Sequence, residues 1–211
     1  MSIENINYGA PKAAVDSLLS QVRAIGEQIH SIFFLSEIEE HKQNPWEFFD
    51  NEFTCNETVH ALLDFWRGTE LFQPRITILE KALLAHLEEN YVVSIPMLLI
   101  QIDGALVDLL PGSKSIGSRT EKIKNTKASS FQKTTEGEAS VEEIVCEVLI
   151  DQLFKKWFPG DGLHKDSFPN RHQILHGCDL EYFNQPYYSL KCILLLDGLL
   201  LLKKVFDQKL N

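Results

Sequence analysis

Apolar residues in this chain return at steps of three and four over most of its length, and that spacing restricts the fold more than any other feature. Between Lys12 and Lys42 they fall at Val15, Leu18, Val22, Ile25, Ile29 and Ile32, the heptad-like seam of a long helix. Asn44-Pro45 stops it, because proline disfavours helical backbone before it. The same spacing recurs after Pro74 (Ile78, Leu79, Leu83, Leu87), in Val92–Leu110 (Leu98, Leu99, Ile102, Leu106, Leu109) and in Val141–Trp157 (Ile144, Val145, Val148, Leu149). No stretch of useful length alternates with period two, and no internal repeat is present. The expected fold class is therefore all-α.

Turn chemistry marks the boundaries between these segments. An aromatic segment, Trp46, Phe48, Phe49 and Phe53, leads to a short helix near Thr58–Arg67, with Asn56 as its expected cap and Gly68 as its stop. Pro111-Gly112 ends the segment from Val92, and Ser140 is placed to cap the helix that follows, with Glu142 and Glu143 at its positive end. Pro159-Gly160-Asp161-Gly162 reads as a turn. A short helical piece around Pro169–His176 is stopped by Gly177, and a strongly apolar helix runs from about Pro186 to Lys209. Residues 1–69 read as an N-terminal helical segment packed on a bundle formed by residues 70–211. Residues 112–140, rich in Ser, Thr, Gly and Lys, read as a mobile basic loop inserted in that bundle.

Charge and cysteine usage narrow the function classes. A formal net charge of -10 argues against a protein that coats nucleic acid, though not against an enzyme with one local basic patch. Such a patch is available: Lys122, Lys124 and Lys127 in the inserted segment are candidate contacts for RNA phosphates. Cys55, Cys146, Cys178 and Cys192 form no C-x-x-C pair and no zinc spacing, which fits a reducing compartment and a cytoplasmic location. The start lacks a basic segment followed by an apolar one, so no secretory signal is expected. The most apolar run, Ile193–Leu202, is interrupted by Asp197 and is shorter than the roughly 20 residues a bilayer requires. No membrane association is expected.

The densest polar cluster is Phe168-Pro169-Asn170-Arg171-His172-Gln173-Ile174-Leu175-His176-Gly177. An imidazole titrates near neutrality, at about pH 6.5, so it accepts and returns protons at physiological pH. A guanidinium stays charged and donates in a planar fork that suits phosphate. A group that exchanges protons beside one that binds phosphate suits phosphate-ester chemistry without a metal. Residues five apart on an ideal helix point about 140° from one another. Arg171 and His176 therefore share a face only if the helix ends or distorts at Gly177, or if two copies line a shared cleft.

Arg171, a polar residue after it, and His176 resemble the R-polar-x3-H motif of the HEPN superfamily, small helical bundles that include prokaryotic toxins and defence ribonucleases. Tyr91–Leu110, with its Ile102-Asp103-Gly104 core, resembles the helix before the motif. Tyr188–Lys191 leading into Leu194–Asp197 resembles the closing helix, so the likeness covers roughly residues 70–211. The resemblance implies a HEPN-like bundle with extra N-terminal helices, a homodimer, an RNA substrate and no cofactor or metal. It implies His176 as acid/base, Arg171 as phosphate stabiliser and Asp103 as a support that bonds Arg171. His172 and Asn170 would orient the substrate or help bind the phosphate. An antitoxin or defence partner protein is a further expectation. Cys178 stands where some relatives carry a modified tyrosine, with Tyr182 the nearest tyrosine, which sets this chain apart from the modification type.

Rival readings rest on the same residues. His172 and His176 stand four apart, as in the H-E-x-x-H zinc proteases, but Gln173 occupies the glutamate position and an amide cannot act as general base. Only His164 lies near enough in sequence to suggest a third ligand. Phosphate-loop and nucleophile-elbow motifs are absent. The alternative to a ribonuclease is a non-catalytic HEPN-like binding or dimerisation module.

Overall fold

The structure is a computed structural model that describes residues 56–113, 115–130, 145–155, 158 and 168–210. The expected helix at 12–42, the aromatic segment at 46–53, the cap at Ser140 and the turn at 159–162 lie outside the described residues. Among the described residues every regular element is helical, and no strand occurs.

The first helix, α1 (Asn56–Arg67), buries Val59, Leu62, Leu63 and Trp66 along one face and ends at Gly68. A single turn of 3₁₀ helix, Gln73–Arg75, carries Pro74 where its missing amide is harmless, and runs straight into α2 (Ile76–Leu87). Glu89 joins α2 to the next helix in left-handed backbone, φ +55°. Its amide reaches His86 O at 2.9 Å, and the Asn90 amide reaches Ala85 O at 2.8 Å. That pair of bonds is a Schellman motif built on a glutamate instead of the usual glycine.

The third helix, α3 (Tyr91–Leu109), is the centre of the bundle. It packs most extensively against α6 (Pro186–Leu210) and α2, burying Ile95, Leu98, Leu99, Ile102 and Leu106 completely. Pro96 lies inside it and removes the amide that would bond the Val92 carbonyl. The hydroxyl of Tyr182, on a short 3₁₀ turn (Tyr182–Asn184), donates to that Val92 oxygen at 2.9 Å. A helix-breaking residue is thus compensated from outside the helix. Among the described residues, α3 rather than Ile193–Leu202 is the helix long and apolar enough to cross a membrane, with half of that window buried in the bundle.

Polar groups tie the layers together. Asp197, which interrupts the apolar run of α6, accepts from the Trp66 indole at 3.1 Å. Ser189 Oγ lies 2.9 Å from both His86 Nδ1 and Ser94 Oγ, joining α6 to α2 and α3 inside the core. Side chains of α1 belong to the same buried cluster as those beyond residue 70, so no break in the core falls at 69.

The inserted segment differs from expectation. Ile116–Ser130 is an α-helix, α4, not a mobile loop. Ser115 Oγ accepts from the Ser118 amide at 3.1 Å and Ser118 Oγ from the Ser115 amide at 3.0 Å, a reciprocal cap of the capping-box kind. Arg119, Ile123 and Thr126 are its buried positions, spaced by four and three. Only one of the three is apolar, which is why the sequence reads as loop. The helix expected over Val141–Trp157 is described only at 145–155, and Val148–Leu153 is wound as a π-helix. The Phe154 amide bonds Leu149 O, five residues back, at 3.1 Å.

Candidate functional site

The polar cluster folds as α5 (Arg171–Leu175), a little over one turn long. Asn170 starts it: its Oδ1 accepts from the Gln173 amide at 3.1 Å, and its Nδ2 donates to Lys155 O at 3.4 Å. The residue is buried. Both ends of this side chain are held by backbone, so Asn170 builds the helix start. The substrate-orienting role expected for it is not what this geometry provides. Gly177 ends the helix in left-handed backbone, φ +69°. The amides of Gly177 and Cys178 bond Ile174 O at 3.0 Å and Gln173 O at 2.8 Å, again a Schellman motif. His176 is therefore the last residue of the turn, exposed at the point where the chain leaves the helix.

Arg171 opens the helix and points to α3. Its Nη2 donates to Asp103 Oδ2 at 2.9 Å. The other oxygen of the same carboxylate takes Nη2 of Arg119, on α4, at 2.8 Å. One carboxylate thus faces two guanidiniums, which leaves one positive charge in excess among the described residues at the junction of α3, α4 and α5. The three side chains are largely withdrawn from solvent, at 22% exposure for Asp103, 17% for Arg171 and 8% for Arg119. The Nε atoms of both arginines have no hydrogen-bond partner among the described residues. Beside Asp103, Gly104 leaves room for Arg75: a Cβ there would lie 3.0 Å from Arg75 Nη2, whose own partner is Asp108 at 2.9 Å.

His172 stands between the two motif residues. Its ring centroid lies 4.4 Å from that of His176, the separation expected for side chains four apart on a helix. Its pKa is lowered from the usual imidazole value, first by burial and then by the nearby charges of His176 and Arg171. Those influences favour the neutral form of the His172 ring.

Arg171 and His172 form part of the wall of a cleft of about 850 Å³, within the range of small-molecule sites. Lys124 and Lys155 line it together with Glu121 among the described residues. Ile150, Leu153, Phe154 and Phe158 supply an apolar side. The π-helical turn contributes two of these residues, and such turns are frequent at functional sites. His176 does not line the cleft. It is linked to the cleft through His172, and no hydrogen bond joins it to Arg171 among the described residues.

Of the lysines singled out in the sequence, Lys124 alone lines the cleft. Lys122 donates to Pro111 O at 3.2 Å, and Lys127 pairs with Glu147. Those two serve to fasten α4 at its start and to the segment carrying the π-helix. Lys155 and Phe158 were missed by the sequence reading, in which Arg119 counts only as one of the cations of the basic segment. Arg119 carried a usable signal, since it lies four residues before Ile123 on the one face α4 can bury.

Among the described residues no group of three His, Cys, Asp or Glu side chains is arranged to hold a metal ion, and His164 lies outside them. Cys192 is buried, and burial raises its thiol pKa far above the ordinary range, so it is inert as a nucleophile. No protein family, no curated protein and no solved structure matches this chain.

Proposed function

We propose that the chain is a metal-independent endoribonuclease of the HEPN type, working as a two-fold dimer in the cytoplasm within a prokaryotic defence or toxin–antitoxin response. The observation that supports this reading is the shared wall of the cleft. A guanidinium, Arg171, and an imidazole, His172, line it together, and a second imidazole, His176, lies against the first. The surplus positive charge around Asp103 and the lysines Lys124 and Lys155 suit a phosphate. The apolar side of the cleft suits the base attached to it.

In this mechanism Arg171 holds the scissile phosphate and stabilises the charge that grows on its non-bridging oxygens. His176 takes the proton of the 2′-hydroxyl as its oxygen bonds to phosphorus. The bond from phosphorus to the 5′-oxygen breaks, and that oxygen takes a proton from the protonated His176 imidazolium of the second copy, which is left neutral. The products are a 2′,3′-cyclic phosphate and a 5′-hydroxyl, with no water consumed and no cofactor. Neutral His172 accepts a hydrogen bond from the ribose or donates one to the phosphate, and Asp103 keeps Arg171 aimed into the cleft.

One observation favours a second reading. Arg171 is engaged with Asp103, while His176 lies outside the cleft, an arrangement that also suits a non-catalytic HEPN-like module that binds RNA or a partner protein. Incubating the purified protein with total RNA in excess chelator separates the two. Cleavage that persists in chelator and is lost in Arg171→Ala and His176→Ala supports the enzyme. Retention of RNA without cleavage, at any enzyme concentration, supports the module.

A further inference from the structure

The outer face of α3 carries a row of aliphatic side chains that the bundle does not cover. Val93, Ile100 and Val107 are 40%, 52% and 45% exposed and follow one another at intervals of seven. Half-buried Met97 fills the step between the first two. Seven residues fall about 20° short of two full turns, so the row runs almost straight along the helix. It lies opposite Leu98, Ile102, Leu106 and Leu109, which face the core. Charged pairs border it on both sides, and the Arg75 guanidinium reaches over Gly104 in the step between Ile100 and Val107. Asp108, held by Arg75, lies about 80° to one side of Ile100, and Asp103, held by Arg119 and Arg171, about 60° to the other. An apolar row at heptad spacing with charged flanks is the pattern of a helix that expects a partner helix.

We propose that this row is the seat of the segment at residues 12–42 of the same chain. That segment carries the complementary pattern, Val15, Leu18, Val22, Ile25, Ile29 and Ile32, at alternating steps of three and four. Its apolar row would be about 25 Å long as a helix, against about 21 Å from Val93 to Val107. Both rows are built largely from Ile and Val, whose branched side chains interlock well at such seams. Residues 33–55 separate the seam from α1, which begins at Asn56, and reach up to about 75 Å when extended. The tether therefore allows docking within one chain, at an effective concentration in the millimolar range that a separate partner does not have. A seam of this length gains most of its helical stability from such packing rather than from propensity. The inference does not depend on the function assigned to the cleft.

Cysteine accessibility in the full chain tests it. Ile100→Cys is introduced with Cys55→Ser and Cys178→Ser, and its rate of alkylation by a maleimide is followed at several protein concentrations alongside the mass by light scattering. The same measurement is made with Val22→Asp and Ile29→Asp added, and circular dichroism verifies that each variant is folded. Docking within the chain predicts slow alkylation that does not change with concentration, and alkylation about tenfold or more faster once the seam is broken. Fast alkylation in both proteins overturns the proposal, as does slow alkylation that survives the two aspartates. Protection that grows with concentration and accompanies a dimer mass assigns the face to a second copy instead. Protection that appears only on adding lipid vesicles assigns it to a membrane surface.

Discussion

The rings of His172 and His176 lie 4.4 Å apart on a helix of little more than one turn, and the first of them is also the neighbour of Arg171. Two imidazoles and a guanidinium this close disfavour protonation of His172, whose pKa is lowered by burial, by His176 and by Arg171, in that order. The unfolded chain binds a proton at this residue near pH 6.5, whereas the folded chain binds it only at lower pH. Stability from this source is therefore complete above about pH 6.5 and is lost as pH falls below it. Urea unfolding between pH 7.5 and 5.5 should show a decline that His172→Asn reduces. An unchanged decline in the variant would remove His172 as its origin.

Asp103 holds two arginines that would otherwise face each other. Asp103→Asn removes the counter-charge while keeping the shape, and should destabilise the fold by about 1–3 kcal/mol, toward the lower figure because the carboxylate is partly exposed. Arg119→Leu added to Asp103→Asn should recover part of that loss, since one of the two unbalanced charges is gone. Denaturant midpoints of the two variants and the double variant measure the coupling. Strict additivity would mean that the shared carboxylate is not what joins α3 to α4.

Tyr182 and Pro96 make a second testable pair. The Tyr182 hydroxyl donates to the carbonyl that Pro96 leaves without an amide, and burial with the nearby Asp179 raises its pKa, so it remains a donor across the neutral range. Tyr182→Phe should cost about 0.5–1.5 kcal/mol. In a Pro96→Ala background, where the restored backbone amide would bond Val92 O, the same change should cost clearly less. Equal costs in the two backgrounds would show that the hydroxyl does not substitute for the missing amide.

Glu89 occupies left-handed backbone that glycine adopts without strain. Glu89→Gly should therefore stabilise the fold, by about 0.5–1 kcal/mol, and raise the thermal midpoint by a few degrees. A lowered midpoint would mean that the glutamate side chain contributes more than its backbone strain costs.

The legibility of the sequence varied with how much apolar surface each element buries. The helices α2, α3 and α6 were readable to within a residue or two because Leu83, Ile102 and Leu196 stand in stripes facing one core. Helix α4 was not, because two of its buried positions are Arg119 and Thr126 and their burial depends on Asp103 and the segment carrying the π-helix, which lie far away in sequence. Its reciprocal serine cap, Ser115 and Ser118, was visible and went unread. At the site, the polar cluster around Arg171 could be read from the residues themselves, whereas the place of Asp103 beside it followed from the family resemblance and not from spacing. The cleft could not be read, since Lys155, Phe154 and Ile150 reach it through a π-helical turn that no local pattern announces. Spacing also left the partner of His176 open: the helix ends early enough to place it against His172, not Arg171.

Product end groups test the proposed chemistry most directly. A short RNA and the same RNA carrying 2′-O-methyl groups are incubated in excess chelator with the protein, with Arg171→Ala and with His176→Ala, and the fragments are weighed by mass spectrometry. Cleavage through the 2′-oxygen should give 2′,3′-cyclic phosphate ends with the native protein and nothing on the methylated strand. Rates should fall by about a hundredfold to ten-thousandfold in the variants. Fragments ending in 5′-phosphate, cutting of the methylated strand, or full activity without His176 would contradict the mechanism.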